Sequence, residues 1–373
     1  MGPKSTLPPF AYLSRHDAPP RFARYFLICT LLVILLVSLY PYTGWHHNGP
    51  PVLAFFFYPL PHYFTFFDNL INFIAYLPVG YCITLIRGRT GSAWLLAILS
   101  GLLFSSIMEF VQQFLPGRIA SNLDILTNAA GAAAGGLLAM VLGSRRGLRL
   151  WQMWRHASLA PGAAMEWGFA WLLLWFVSQL DPTQPFLGVV VTPRGLPQPF
   201  VSPISDAALF LRLLEGSGMM LNFLGVALYV SALVRHTAQV PRAIVLTLGI
   251  ALLAKMGFAG MLLKPAQFFA WINPNIVIGG LLGILLLTQL WRLARRLRAL
   301  LALLSLSAAQ VVSWTWPLAP QFADGLSLFR WHYGHLRHFS GLAALIGDLW
   351  PALASLWLFY IVLRQHREEK WIA

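Results

Sequence analysis

Residues 69–114 read NLINFIAYLPVGYCITLIRGRTGSAWLLAILSGLLFSSIMEFVQQF. Two long apolar runs flank the basic turn RGRT. Crossing the hydrocarbon core of a bilayer takes about 20 mostly apolar residues at ~1.5 Å each. The pair reads as two membrane helices joined by a positively charged turn. Outward from it the same pattern recurs. Ten stretches qualify, at roughly 25–43, 69–86, 92–114, 124–142, 163–180, 217–234, 243–263, 274–290, 299–316 and 343–364. The expected fold class is all-α, a polytopic integral membrane helical bundle of about ten transmembrane helices.

Composition agrees. Of 373 residues, 58% are hydrophobic and 10% charged, whereas a soluble globular domain carries about 25% charged residues. An ordinary cytosolic enzyme is excluded, and so is disorder, which needs low hydrophobicity. Cys29 and Cys82 both lie inside apolar runs and give neither a disulfide framework nor a thiolate metal site. The first span sits too deep in the chain for a simple cleaved signal.

The net charge of +14 suggests nucleic acid until the charges are placed. With a cytoplasmic N-terminus, 19 of the 26 Lys and Arg fall in cytoplasmic segments, clustered at 4–24, 87–89, 145–155, 235–242, 292–298 and 364–370. That is the positive-inside pattern. The expected location is the cell inner (cytoplasmic) membrane, multi-pass, with both termini cytoplasmic. No basic soluble domain exists to hold nucleic acid. Anionic lipid of the inner leaflet suits the clusters as a further partner.

Two segments share a pattern. LINFIAYLPVGYCITLIRGR (70–89) and LTNAAGAAAGGLLA (126–139) match MMLNFLGVALYVSALVRH (219–236) and NPNIVIGGLLGILLL (273–287). Asn72 aligns with Asn222, 150 residues on, and Gly131 and Gly135 with Gly279 and Gly283, 148 residues on. Glycines so spaced let helices approach closely in lipid. Both halves start inside, which predicts a parallel repeat about an axis along the membrane normal. The expected division is a tail at 1–24, a four-helix unit at 25–160, a degenerate second unit at 161–298 and a helix pair at 299–373. Long segments at 44–68, 181–216 and 317–342 fall outside. Phe55, Phe56, Phe57, Phe64, Phe66 and Phe67 read there as an aromatic belt or as a lipid-handling surface.

Polar residues inside spans are costly and point to function. Asp68, Asn69 and Asn72 open the second span. Glu109, Gln112 and Gln113 close the third, with Ser105 and Ser106 a turn earlier. Glu109 lies about 10 Å below Pro116 along the helix. Arg118 and Asn122 occupy the following turn, and Asp124 and Asn128 open the fourth span on one face. The second half keeps Asn222, with Lys255 as its only deep charge. This predicts a site in the first unit and a scaffold in the second. The expected site is an outward cleft, with the N-termini of the second and fourth spans offering free N–H groups to a phosphate or carboxylate. Arg118 adds a forked donor. Glu109, with Asp124, is the candidate general base or proton carrier. Structural readings stand beside these. Asp68 and Asp124 could cap helices, Gln112 and Asn128 could bond neighbouring helices, and Glu109 could be neutralised by Lys255 or Arg118. No metal is expected at carboxylates without nearby His, and no cofactor motif is present. In FADGLSLFRWHYGHLRHFSG (322–341), His332, His335 and His338 recur every third residue, as in an interfacial amphipathic helix or a zinc site.

Residues 68 to about 142 resemble the VanZ-like membrane family. The resemblance lies in Asp68 and Asn72 of DNLINFIAYLPVGY, Glu109 and Gln112 of SSIMEFVQQFLPGR, and Asp124, Asn128 and Gly131 of SNLDILTNAAGAAAG. The family is named for a protein that raises resistance to the glycopeptide teicoplanin. Its members often hold one such unit, and this chain adds six further helices. Three functions follow as expectations. One is binding or transport of an amphiphile with an anionic head, such as a polyprenyl-phosphate carrier. The others are an integral-membrane enzyme acting on such a lipid and a structural partner in an envelope-synthesis complex.

A reporter fused after Arg146 or Arg298 is expected to be cytoplasmic, and one near Gln184 or Gly325 external. External signal after Arg146 would overturn the orientation.

Overall fold

The structure, a computed structural model, describes residues 21–39, 42–47, 51–60, 66–116, 119–143, 145–180, 186–187, 203–269, 272–316 and 334–370. Among these, eleven α-helices carry the fold. They are α1 (Arg21–Leu39), α2 (Phe66–Ile86), α3 (Gly91–Gln112), α4 (Asn122–Leu142), α5 (Arg145–Ser158), α6 (Ala163–Gln179), α7 (Ala207–Leu233), α8 (Val240–Leu262), α9 (Pro274–Leu290), α10 (Arg295–Thr315) and α11 (Gly334–Lys370). Seven of them, α2, α3, α4, α7, α8, α10 and α11, are long and apolar enough to cross a membrane. The apolar stretches of α1 and α9 are shorter.

Large apolar side chains face outward along whole helices. Leu95, Leu99 and Leu103 do so on α3, Val245 and Leu253 on α8, and Leu281 and Leu285 on α9. Water would not tolerate an apolar surface so continuous, whereas lipid does. The chain is a multi-pass helical membrane protein.

Two elements differ from the sequence reading. Helix α7 starts at Ala207, ahead of the expected 217. Asp206 caps it, accepting from the Ala208 and Leu209 N–H groups at 2.9 and 3.0 Å. The sequence reading left this stretch in the long segment 181–216, yet it is helical and its Glu215 is buried between asparagines. Helix α5, RRGLRLWQMWRHAS, was read only as a basic loop, because it is too short and too charged to span. Its apolar and basic residues alternate at helical spacing instead.

The chain divides into two compact units, Met1–Leu32 with Trp45–Leu148, and Val33–Gly44 with Arg149–Ala373. In the first, α2 and α4 run parallel. Gly131 lies on the Phe73 carbonyl and Gly135 on that of Leu77, so contacts advance together along both helices. A Cβ at either glycine would collide with α2 backbone. Helix α3 runs antiparallel to α4: Ser105 meets Asn128, Gly101 meets Ala132, and the Trp94 indole donates to the Ala133 carbonyl at 2.9 Å.

In the second unit α7 is central, and its stretch from Phe223 to Leu233 is wholly buried. Helix α10 packs antiparallel to it, Leu306 on Gly225 and Arg298 on Ser231. Helices α6 and α11 are also antiparallel. Trp350 and Trp357 donate to the Trp171 and Ala164 carbonyls at 2.7 and 2.6 Å, and Tyr229 donates to the Gly168 carbonyl at 2.8 Å. Each indole or phenol N–H or O–H thereby finds an acceptor inside an apolar core.

Helices α7 and α9 repeat the glycine mode of α2 and α4. Gly279 lies on the Gly216 backbone, and Gly283 on Phe223 and Met220. In this register Gly216 holds the place of Phe73, and Glu215 that of Asn72. Asn222 lies about two turns further along α7. The packing register therefore differs from the alignment that paired Asn72 with Asn222.

Gly131→Val or Gly135→Val should lower thermal stability by about 1–3 kcal/mol, because the added side chain overpacks a backbone contact. Gly249→Ala, on α8 with open space around it, should be neutral or stabilising by up to ~1 kcal/mol. Thermal melting of the purified protein in detergent checks both. Unchanged melting for both valine variants would contradict the close approach.

Candidate functional site

The site grows from where α3 ends and α4 begins. Ser121 caps α4, its Oγ accepting from the Asp124 N–H at 3.4 Å. Glu109, 4% exposed, closes the same helix end from α3. Its Oε2 accepts from the Ser121 N–H at 2.8 Å. A carboxylate is stabilised there by the positive end of the α4 dipole. One expectation is corrected. Asp124 does not cap α4; its peptide N–H is the group being capped, and its side chain sits partly exposed in the first turn. At this end of α4 the protein's own carboxylate and hydroxyl engage the Ser121 and Asp124 N–H groups.

One turn along α4, Asn128 is buried. Its Nδ2 donates to Ser105 Oγ at 2.8 Å. Ser105 also hydrogen-bonds the Tyr76 side chain of α2, which lies close enough to Glu109 to feel its charge. Three helices thus meet in one polar network: Tyr76 from α2, Ser105 and Glu109 from α3, Ser121 and Asn128 from α4. Asn128 Oδ1 is buried and has no hydrogen-bond partner.

Glu109 and Asn128 are brought together through Tyr76 and Ser105. Gln112 is buried one turn from Glu109 on α3, and Asn72 is half-buried one turn before Tyr76 on α2. The Asp68 side chain lies outside the described residues, as do Arg118 and His332 and the side chains of His335 and His338. Tyr76 was missed in the sequence. The available clue was a tyrosine in mid-span, whose hydroxyl needs a partner there. Around the site, Asn122 Nδ2 donates to the Tyr58 carbonyl at 2.6 Å, and the His46 N–H to the Phe114 carbonyl at 2.9 Å. Both bonds fasten the segment between α1 and α2 over the α3–α4 turn.

Lys255 is fully buried but is not the only deep charge of the second unit. Glu166, Glu215 and Arg298 are buried as well. Glu166 pairs with Arg155. Glu215 accepts from Asn273 and Asn275 at 3.0 and 2.6 Å, while Asn273 caps α9 through the Ile276 N–H at 2.9 Å. The second unit is therefore no plain apolar scaffold. Among the described residues, no three His, Cys, Asp or Glu side chains gather as a metal site would need.

Fold and network together define a multi-pass membrane protein with a buried polar centre in its first unit. Residues 23–143 match the family model described as VanZ/LLP1, and this stretch, α1 through α4, is VanZ-like. No curated protein and no solved structure matches the chain.

Glu109→Gln keeps an acceptor for the Ser121 N–H and should leave membrane abundance near wild type. Glu109→Leu leaves that donor unmet, at a cost of about 1–3 kcal/mol, and should lower abundance and melting temperature. Full abundance and stability of Glu109→Leu would show that the contact does not hold the α3–α4 turn.

Proposed function

We propose that the protein binds or moves an envelope lipid or precursor with an anionic head, taking the polar head into the first unit. The observation that carries this reading is Asn128 Oδ1, a buried acceptor that has no partner inside a network otherwise satisfied. A native polar atom so placed is expensive unless something donates to it. A hydroxyl or amide of a lipid head would do so, with Tyr76 beside it. Arg118, in the turn before α4, is the residue suited to the phosphate. Asp68, Asn72, Gln112 and Asp124 complete the proposed lining. Glu109 is the proposed proton carrier or general base beside this lining.

In this reading the chain lies in the inner membrane with about ten spans. Both termini are cytoplasmic and the site opens to the outer leaflet, as the basic clusters suggest. The shared glycine mode of α2/α4 and α7/α9 supports an internal parallel repeat. A structural reading has one observation of its own. Glu109 fastens the α3–α4 turn, which a partner in an envelope complex would also need.

The test is lipid carried through purification. The full chain, extracted in mild detergent, should retain an amphiphile detectable by mass spectrometry. Asn128→Leu and Tyr76→Phe should reduce it roughly tenfold at equal protein abundance, as loss of one buried hydrogen bond implies. An unchanged lipid profile in both variants would refute the binding role and leave the structural reading.

A further inference from the structure

A second polar assembly lies at one end of the second unit, where α7 finishes and α10 begins. Arg298 is 2% exposed, and its Nη1 donates to the Ser231 carbonyl at 3.0 Å. Arg295 Nη2 donates to the Val234 and Arg235 carbonyls at 2.8 and 3.0 Å. Arg235 reaches the His156 carbonyl at 2.7 Å, and its N–H meets the Ser158 carbonyl at 2.8 Å. Guanidinium groups therefore meet two helix ends, Arg295 and Arg298 that of α7 and Arg235 that of α5.

Carbonyl caps account for only part of this charge. The ends of α5 and α7 each carry about half a negative charge, against three full positive ones. Glu166, the buried carboxylate of α6, is held by Arg155. Among the described residues, Arg235, Arg295 and Arg298 pair with backbone oxygen alone. Arg295 and Arg298 are close enough to repel each other. The start of α10 adds positive dipole, with no side-chain cap at Ala294. The Nε atoms of Arg295 and Arg298 are buried with no hydrogen-bond partner. Like charges held this close, with Arg298 buried and N–H donors to spare, are stabilised by an anion.

Helix α5 supplies the surroundings. It bears no acidic residue, and Leu150, Met153 and Trp154 are exposed at helical spacing. Trp151 and Trp154 pack on Phe169 of α6. An apolar strip beside a basic cluster is the surface of a helix lying in a membrane interface.

We propose that Arg235, Arg295 and Arg298 form a binding site for a phosphate group, carried by a phospholipid head or free in solution. The site is independent of the polar network in the first unit.

The test uses the full chain, stripped of lipid in an uncharged sugar detergent. Melting temperature is followed while phosphatidylglycerol or inorganic phosphate is added, against chloride at equal ionic strength. At least one probe should raise it saturably beyond chloride, and the probe that does so identifies the source. Arg235→Gln, whose side chain is exposed and tolerant, and Arg295→Gln should each raise the half-saturating concentration roughly fivefold. Arg87→Gln, in the basic turn of the first unit, should leave it unchanged. The proposal fails if neither probe exceeds chloride, if both cluster variants titrate like wild type, or if Arg87→Gln weakens binding as much as they do.

Discussion

The carbonyls of Phe73 and Leu77 lie directly on Gly131 and Gly135, with no room between α2 and α4 for a side chain. In lipid no hydrophobic force pulls helices together, so association rests on van der Waals contact and on polar groups. Backbone against backbone is the closest contact helices can make. It fixes the approach of α2 to α4 and leaves α3 to fill the angle between them through Gly101 and Ser105. The position of Tyr76 follows, because it sits on α2 between the two contact residues. From there it can reach across to Ser105 and the polar network.

Helix ends buried in a membrane pose the second constraint. Their free N–H groups need acceptors, and water is scarce. Both units meet this need with buried carboxylates. Glu109 closes the start of α4 directly. Glu215 holds the asparagines at the start of α9, one of which caps that helix. The Ser121 and Asp124 N–H groups at the start of α4 and the Ile276 N–H at the start of α9 are thus engaged within the protein. The proposed first-unit site turns accordingly on side-chain hydrogen bonding around Asn128.

Much of this was legible in the sequence. Span length and composition decide the class, and the order of Asp68, Asn72, Glu109, Gln112, Asp124 and Asn128 marked the VanZ-like unit before any geometry. The glycine pairs announced close packing in both halves. Partner identity was hidden, because it depends on depth and rotation. Sequence spacing could not show that Ser121, and not Asp124, caps α4, or that Glu109 meets a backbone N–H. The α7/α9 register escaped because similar asparagine-phenylalanine pairs occur two turns apart in relation to the glycines. Glu215 escaped for a related reason: it falls ahead of the expected span, and its asparagine partners lie 58 and 60 residues further along the chain.

The most direct test of the central claim is a high-resolution cryo-electron microscopy map of the full chain purified with its native lipid. The account predicts head-group density between α2, α3 and α4, with a polar atom about 3 Å from Asn128 Oδ1. A map in which Asn128 Oδ1 is met by a side chain of the protein itself, with no amphiphile between these helices, would contradict it.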